Sequence, residues 1–160
     1  MIRLLQVLLA SVFCVSAAHA VDRSEQTLGV GVVTQFGGPA GRPAQLSAKI
    51  AVRPRIEVSV LFGVRLDSPS TFLPGAKVGF VLVPEKWMNL YVAAAASVDL
   101  RSTGGIHSLA WQVGPGIELV APEWPNVGLA LEFGLSGETE TGAVTTMTSG
   151  FGGAGVHYYF

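Results

Sequence analysis

Apolar and polar residues alternate along most of this chain, from about residue 27 to its C-terminus. A period of two is typical of β-strands, because successive side chains point to opposite faces of a sheet. Each alternating segment is close to the length of roughly 10 residues that a tilted strand needs to cross a bilayer. The pattern predicts eight strands, at residues 27–36, 44–52, 55–65, 75–83, 89–100, 107–120, 127–136 and 150–160.

The two faces of the predicted strands differ in chemistry. One face is apolar throughout, as in the third segment, where Ile56, Val58 and Val60 share it. The other face is thinly charged and rich in Gly, Ala and Ser, which suits a narrow closed interior. It carries these charged and polar residues: Lys49, Glu57, Lys77, Asp99, Glu118, Glu132, Gln45, Ser47, Ser59, Gln112 and His157.

The connections between these segments differ in length from one end of the predicted sheet to the other. Residues 53–54, 84–88 and 121–126 are short or turn-like, whereas 37–43, 66–74, 101–106 and 137–147 are mostly longer and rich in Gly, Ser, Thr and Pro. Short periplasmic turns and longer outer loops are typical of outer-membrane barrels. The sequence therefore predicts an all-β fold over residues 21–160, an eight-stranded, antiparallel, up-and-down, closed transmembrane β-barrel.

The first twenty residues have a different organisation. Arg3 supplies a positive charge, residues 4–15 are almost all apolar, and Ala18-His19-Ala20 presents small residues at a cleavage position. These are the three regions of a secretory signal peptide, and the apolar run is too short for a transmembrane helix. The sequence predicts cleavage after Ala20 and export through the inner membrane.

Composition excludes several classes of function. The chain is 13% charged with a net charge of −1, which gives no electrostatic reason to bind nucleic acid. Its single cysteine, Cys14, lies in the predicted signal peptide, so no disulfide or thiolate metal site is expected in the rest. The Gly-rich residues 150–155 precede no helix, and the acidic loop with Glu138 and Glu140 has too few ligands for a calcium site. We expect no cofactor and no metal.

The C-terminal segment ends on an aromatic residue, with Val156, Tyr158 and Phe160 at alternate positions. Trp87 and Trp124 follow Pro-Glu pairs in two of the short turns, so they should lie at the same end of the barrel. Aromatic residues at one level are typical of the girdle at a membrane interface.

With these features the chain resembles the small eight-stranded outer-membrane barrels of Gram-negative bacteria, such as the OmpA transmembrane domain and OmpX. The resemblance covers residues 21–160 and rests on architecture. It implies a location in the outer membrane, in contact with outer-membrane lipid and lipopolysaccharide. It also implies that the barrel-assembly machinery recognises the terminal strand through Val156, Tyr158 and Phe160.

Charges of opposite sign lie on different strands of the inward face. They predict a lumen charge network made of Lys49, Glu57, Lys77, Glu118, Glu132 and His157. Barrels of this width are filled by side chains, so the network should form a plug. Pairing is favoured because an unpaired buried charge costs several kcal/mol. A gated pore or proton path is the alternative.

His107, Ser108 and Glu118 are the candidate catalytic residues. Some eight-stranded barrels are lipid A deacylases with a His-Ser-Glu triad, and a triad requires the three side chains to converge. Adjacent residues of a strand point to opposite faces, and Glu118 lies toward the periplasmic end, so the pattern disfavours convergence.

Pro115 falls within the sixth predicted strand, between Gly114 and Gly116. Proline removes a ladder donor, and a closed barrel has no free edge to tolerate the loss. The sequence therefore predicts a bulge or bend at this position.

Three functions remain open. The first is a monomeric structural or surface-interaction protein of the outer membrane, whose loops contact an unidentified surface ligand. The second is an outer-membrane lipid-modifying hydrolase. The third is a soluble, lipocalin-like barrel that binds a small apolar ligand.

Overall fold

Eight antiparallel strands close into one barrel in the computed structural model, which describes residues 28–37, 42–66, 68–140 and 146–160. Each strand pairs with the next one in sequence, and the last pairs with the first, so no edge strand remains. This confirms the predicted fold class. The predicted signal peptide, residues 1–20, lies outside the described residues. The strands are β1 (Leu28–Gly37), β2 (Gln45–Arg53), β3 (Ile56–Arg65), β4 (Thr71–Pro84), β5 (Met88–Arg101), β6 (Ile106–Val120), β7 (Val127–Glu140) and β8 (Thr146–Tyr159).

The alternation in the sequence becomes an outer and an inner wall. Leu46 and Val60 point outward and are 62% and 61% exposed, whereas Ser59, next to Val60, is 2% exposed. The same parity holds along all eight strands, with the large aliphatic and aromatic side chains mostly outside. A closed sheet with an apolar outer wall has the opposite polarity to a soluble barrel.

Three strands extend well into predicted loops. β4 begins at Thr71, β7 continues to Glu140 and β8 begins at Thr146, where loops were predicted. The predicted loop boundaries 66–74 and 137–147 are therefore wrong, because ladder pairs such as Gly137 with Thr148 extend the sheet. The connections become 54–55, 85–87 and 121–126 at one end, and 38–44, 66–70, 102–105 and 141–145 at the other. We call these the short-turn end and the loop end.

No bulge occurs at Pro115, where the sequence predicts a bulge or a bend. The register of β6 with β5 is continuous through this residue, and the register with β7 is the same on both sides of it. The reason is the pair of glycines that face each other here. A Cβ on Gly114 would lie 2.0 Å from the carbonyl oxygen of Phe133, and one on Gly134 would lie 2.2 Å from that of Val113. The two backbones approach closely without an inserted residue.

Bulges occur instead between Ala51 and Arg53, between Val81 and Val83, and between Asp99 and Leu100. All three lie near strand ends. An extra residue there adjusts twist and pairing without disturbing the middle of the wall.

The barrel is closed at the short-turn end by backbone hydrogen bonds. The Phe160 N–H donates to the Leu28 carbonyl oxygen over 2.9 Å, and the Tyr159 N–H donates to the Asn126 carbonyl oxygen over 2.7 Å. The Asn126 amide donates in return to the Tyr159 carbonyl oxygen over 3.1 Å. The C-terminus is thus fixed to both neighbouring strands.

Within the part of the chain that the structure describes, no helix is both long enough and apolar enough to span a membrane.

Candidate functional site: the polar interior of the barrel

Lys49 is the centre of a buried cluster near the short-turn end. Its Nζ lies 2.9 Å from Oε1 of Glu118 on β6 and 3.2 Å from Oε2 of Glu57 on β3. The Tyr159 hydroxyl donates to the same Glu118 oxygen, and the Lys49 ammonium lies 5.3 Å from the centroid of the Tyr159 ring. Glu118 is 1% exposed, so its charge depends on these partners. We call Lys49, Glu57, Glu118 and Tyr159 the Lys49 cluster.

A second cluster lies nearer the middle of the barrel. Lys77 Nζ is 2.6 Å from Oε1 of Glu132, and the Tyr91 hydroxyl donates to that oxygen over 2.7 Å. The side chains of Lys77 and Glu132 are about nine-tenths buried, at 10% and 11% exposure. We call Lys77, Glu132 and Tyr91 the Lys77 cluster. In both clusters one carboxylate oxygen accepts from an ammonium and a phenol, which makes strong charge-assisted hydrogen bonds.

Glycines on the inner wall make room for the two tyrosine rings. A Cβ on Gly116 would lie 2.5 Å from Cζ of Tyr91, and one on Gly29 would lie 2.8 Å from Cε1 of Tyr159. A Cβ on Gly128 would meet both the Tyr159 ring and Glu118. The rings therefore lie flat on bare backbone, and this position directs their hydroxyls to the carboxylates.

His157 faces the interior, as its parity predicts, and is 1% exposed. Its Nε2 lies 3.0 Å from the Ser47 hydroxyl on β2. Its Nδ1 has no hydrogen-bond partner in the described residues. The ring therefore fills space beside the Lys49 cluster, with one polar contact across the wall to β2.

Different polar residues occupy the interior at the loop end. Arg42, just before β2, donates from Nη1 to the Ser97 hydroxyl on β5, on another side of the lumen. Burial lowers the pKa of the Arg42 guanidinium, and the nearby carboxylates of Glu138 and Asp99 oppose that change. Asp99 is 8% exposed, and its Oδ1 has no hydrogen-bond partner in the described part of the chain.

Two pockets lie in this half of the interior, with volumes of about 20 and 30 Å³. The first is lined by Arg42, Ser97 and Glu138, and the second by Lys77 and Glu132. Both are lined by Gln35, Gln45, Leu61 and Gln112. The pockets are therefore neighbours and lie between the loop end and the Lys77 cluster.

The candidate catalytic residues are not brought together. Ser108 is fully buried and donates to Oε1 of Glu138 over 2.5 Å, while Glu118 belongs to the Lys49 cluster. Ten residues of β6 separate Ser108 from Glu118, which is roughly 33 Å at the rise of an extended strand. His107 lies on the opposite parity from Ser108. This arrangement provides no nucleophile, base and acid in contact.

The terminal aromatic residues lie on the outer wall at the short-turn end. Tyr158 is 48% and Phe160 63% exposed, with their ring centroids 5.1 Å apart, and Val156 is 50% exposed. Trp124 is 68% exposed in the turn before β7, and Trp87 lies directly before β5 with Lys86 Nζ 4.8 Å from its ring.

Aromatic residues also lie on the outer wall near the loop end, a feature that the sequence reasoning did not identify. Phe62 and Phe72 pack edge to face with centroids 4.6 Å apart, and Phe36 is 54% exposed. The outer wall thus has aromatic side chains toward both ends.

No group of three His, Cys, Asp or Glu side chains suited to a metal ion occurs among the described residues. Glu138, which was predicted in a solvated loop, instead lies in β7 and bonds to Ser108.

No protein-family model matches the sequence, and no curated protein matches it. Solved structures do match its fold. The N-terminal β-barrel domain of Pseudomonas aeruginosa OprF superposes with a TM-score of 0.60 at 13% identity, over 84% of this chain and 98% of that one. Neisserial surface protein A (NspA) gives a TM-score of 0.51 at 14% identity, over 84% and 95%.

A designed barrel, TMB2.3, has a TM-score of 0.53 at 18% identity, over 84% of this chain and 94% of that one. At such identities the likeness shows the fold. The chain has the architecture of the small transmembrane β-barrels, and the resemblance to eight-stranded outer-membrane barrels that the sequence predicts is confirmed at that level.

Proposed function

We propose that this chain is an outer-membrane β-barrel protein with a plugged polar lumen, and that it acts as a structural or surface-interaction protein through its outer loops. One observation carries the proposal. The outer wall is mostly apolar on all eight strands, while Lys49, Lys77, Asp99 and Glu118 are buried in the interior. Lipid is the solvent that matches such a wall, because apolar side chains are then outside and polar ones inside.

The aromatic residues support an orientation. Tyr158, Phe160 and Trp124 are exposed at the short-turn end, and Phe36 and Phe62 are exposed toward the other end. Aromatic girdles of transmembrane barrels lie at both membrane interfaces. We propose that the short-turn end lies in the periplasm and that the loop end lies outside, in contact with lipopolysaccharide.

The plugged lumen is supported by the burial of its polar groups. Lys49, Glu118 and His157 are 6%, 1% and 1% exposed and fill the interior near the short-turn end. Barrels of eight strands have an interior just wide enough for side chains to fill. We propose that the Lys49 cluster blocks the passage of solutes and stabilises the wall.

We also propose how the chain is exported and assembled. Residues 1–20 would direct export and be cleaved after Ala20, and the barrel-assembly machinery would recognise Val156, Tyr158 and Phe160. The outward exposure of these three side chains on the last strand supports this role, because an outward face is available to another protein before the barrel enters lipid.

The test is to express the chain in a Gram-negative host and follow its location. We expect it in the outer-membrane fraction, with a shift in electrophoretic migration between unheated and boiled samples, because a closed barrel resists detergent until it is heated. An epitope inserted in connection 102–105 should be accessible on intact cells, whereas an epitope inserted in connection 85–87 should not. A chain that remains soluble without detergent would contradict the proposal and favour the lipocalin-like alternative.

A further inference from the structure

Two interior pockets lie in the loop-end half of the barrel. The two pockets share Gln35, Gln45, Leu61 and Gln112, so one lies directly behind the other. Neither is lined by Lys49, Glu118 or His157. The space that these two pockets describe therefore ends at the Lys77 cluster.

The size and lining of the pockets suit water. A water molecule needs roughly 10–15 Å³ of space for its centre, together with two to four polar partners. The volumes of about 20 and 30 Å³ leave space for one or two molecules in each pocket. Side-chain amides and hydroxyls from Gln35, Gln45, Gln112 and Ser136 line the first pocket and supply the partners.

We propose that these two pockets form a vestibule that binds water and water-sized polar solutes from the loop end only, and that Arg42 closes its entrance. The inference rests on the proposed plugged lumen, since it needs the Lys49 cluster to block the other side. The vestibule is defined by the residues that line the two pockets.

Arg42 is suited to close the entrance because of where it starts and what it contacts. It belongs to the connection before β2, and its guanidinium reaches Ser97 on β5, which is not a neighbour of β2 in the sheet. Asp99 and Glu138 attract it there. No strand pairing depends on this side chain, so it can leave the entrance without opening the wall.

Two serines provide a matched test of access from one end. Ser136 lines the vestibule and is 3% exposed, and Ser47 lies beside His157 and is 4% exposed. The single native cysteine, Cys14, lies in the predicted signal peptide, so Ser136→Cys and Ser47→Cys should each give a chain with one thiol. The probe is hydrogen peroxide, which is close to water in size and labels a thiol by oxidising it to a sulfenic acid, with water as the by-product. It is added to folded barrels, and the readout is the labelling rate by mass.

Ser136→Cys should be labelled slowly in the folded barrel, and Arg42→Ala should raise its rate by roughly tenfold, the factor for losing one hydrogen bond to a charged group. Arg42→Lys, which keeps the charge, should raise the rate less. Ser47→Cys should remain unlabelled in both backgrounds and react fully after heat unfolding. Retained heat-modifiable migration shows that each variant has folded.

Two results would overturn the inference. Equal rates for Ser136→Cys with and without Arg42 would mean that this side chain does not close the entrance. Labelling of Ser47→Cys at the rate of Ser136→Cys would mean that the lumen is open throughout. Both rates are measured on folded barrels in detergent, so they test the vestibule even if the chain does not reside in the outer membrane. The cell fractionation tests the location separately.

Discussion

The two halves of the barrel interior are built from similar side chains but are organised differently. At the short-turn end, Glu118 accepts from both Lys49 and Tyr159, and it is 1% exposed. At the loop end, Arg42 is half-buried and contacts a neutral hydroxyl, while Asp99 keeps an unpaired oxygen. The first half is closed by paired charges on the strands themselves. The loop-end half depends instead on Arg42, which lies before β2 and not in a strand.

The two halves differ in how completely their buried charges are hydrogen-bonded. In the Lys77 and Lys49 clusters, the phenols of Tyr91 and Tyr159 donate to the carboxylates in addition to the ammonium groups. Asp99 is also buried, but one of its oxygens has no hydrogen-bond partner. Where that pairing is incomplete, the interior keeps space that water can fill. Stability should therefore reside in one half and access in the other.

Lys49→Met should have the largest effect on this comparison. The change leaves Glu118 and Glu57 without their cation, and breaking a buried pair in this way costs about 3–5 kcal/mol. The measurement is the free energy of unfolding in urea, with the barrel in lipid vesicles. The matched change at the loop end, Arg42→Met, should cost less than about 1 kcal/mol, because that side chain remains partly exposed. Equal losses would remove the distinction between the halves.

Gly116→Ala should have a smaller effect within the tightly packed half. The new methyl group would lie 2.5 Å from Tyr91 Cζ, so the ring must move from Glu132, at a cost of about 1–3 kcal/mol. Gly79→Ala is the control on the same inner wall, since the nearest atoms to its Cβ lie at 3.8 Å. The same unfolding measurement should leave Gly79→Ala close to the parent chain. If both variants were equally stable, the glycine would not position the tyrosine.

Most of the fold could be predicted from the sequence, because a period of two fixes which wall each side chain belongs to. Parity alone puts Lys49, Glu57 and Glu118 inside. It does not reveal that Lys49 meets Glu118, since β2 and β6 are not neighbours and their contact depends on how the closed sheet brings residues to the same height.

Other features of the structure could have been inferred from the sequence, although the sequence indicates them only weakly. Tyr91 and Tyr159 share the parity of the charges, so their inward position could have been inferred, although their glycine contacts lie on other strands. The extension of β7 to Glu140 was hidden by Gly137 and its polar neighbours, which resemble a loop in composition. The alternating pattern does not predict the contact of Arg42 with Ser97, because Arg42 precedes β2 and belongs to no alternating segment.

The most direct measurement of the central claim, that the outer wall faces lipid, compares two valines that differ in depth. Val60 lies in the middle of β3 and Val52 near the end of β2, and they are 61% and 60% exposed. In a bilayer, Val60→Arg should lower the free energy of unfolding by about 2–4 kcal/mol and Val52→Arg by about 0–1 kcal/mol, because the cost of arginine falls toward the interface. Two small and equal effects in lipid vesicles would contradict the claim, since they are the result expected for a wall that faces water.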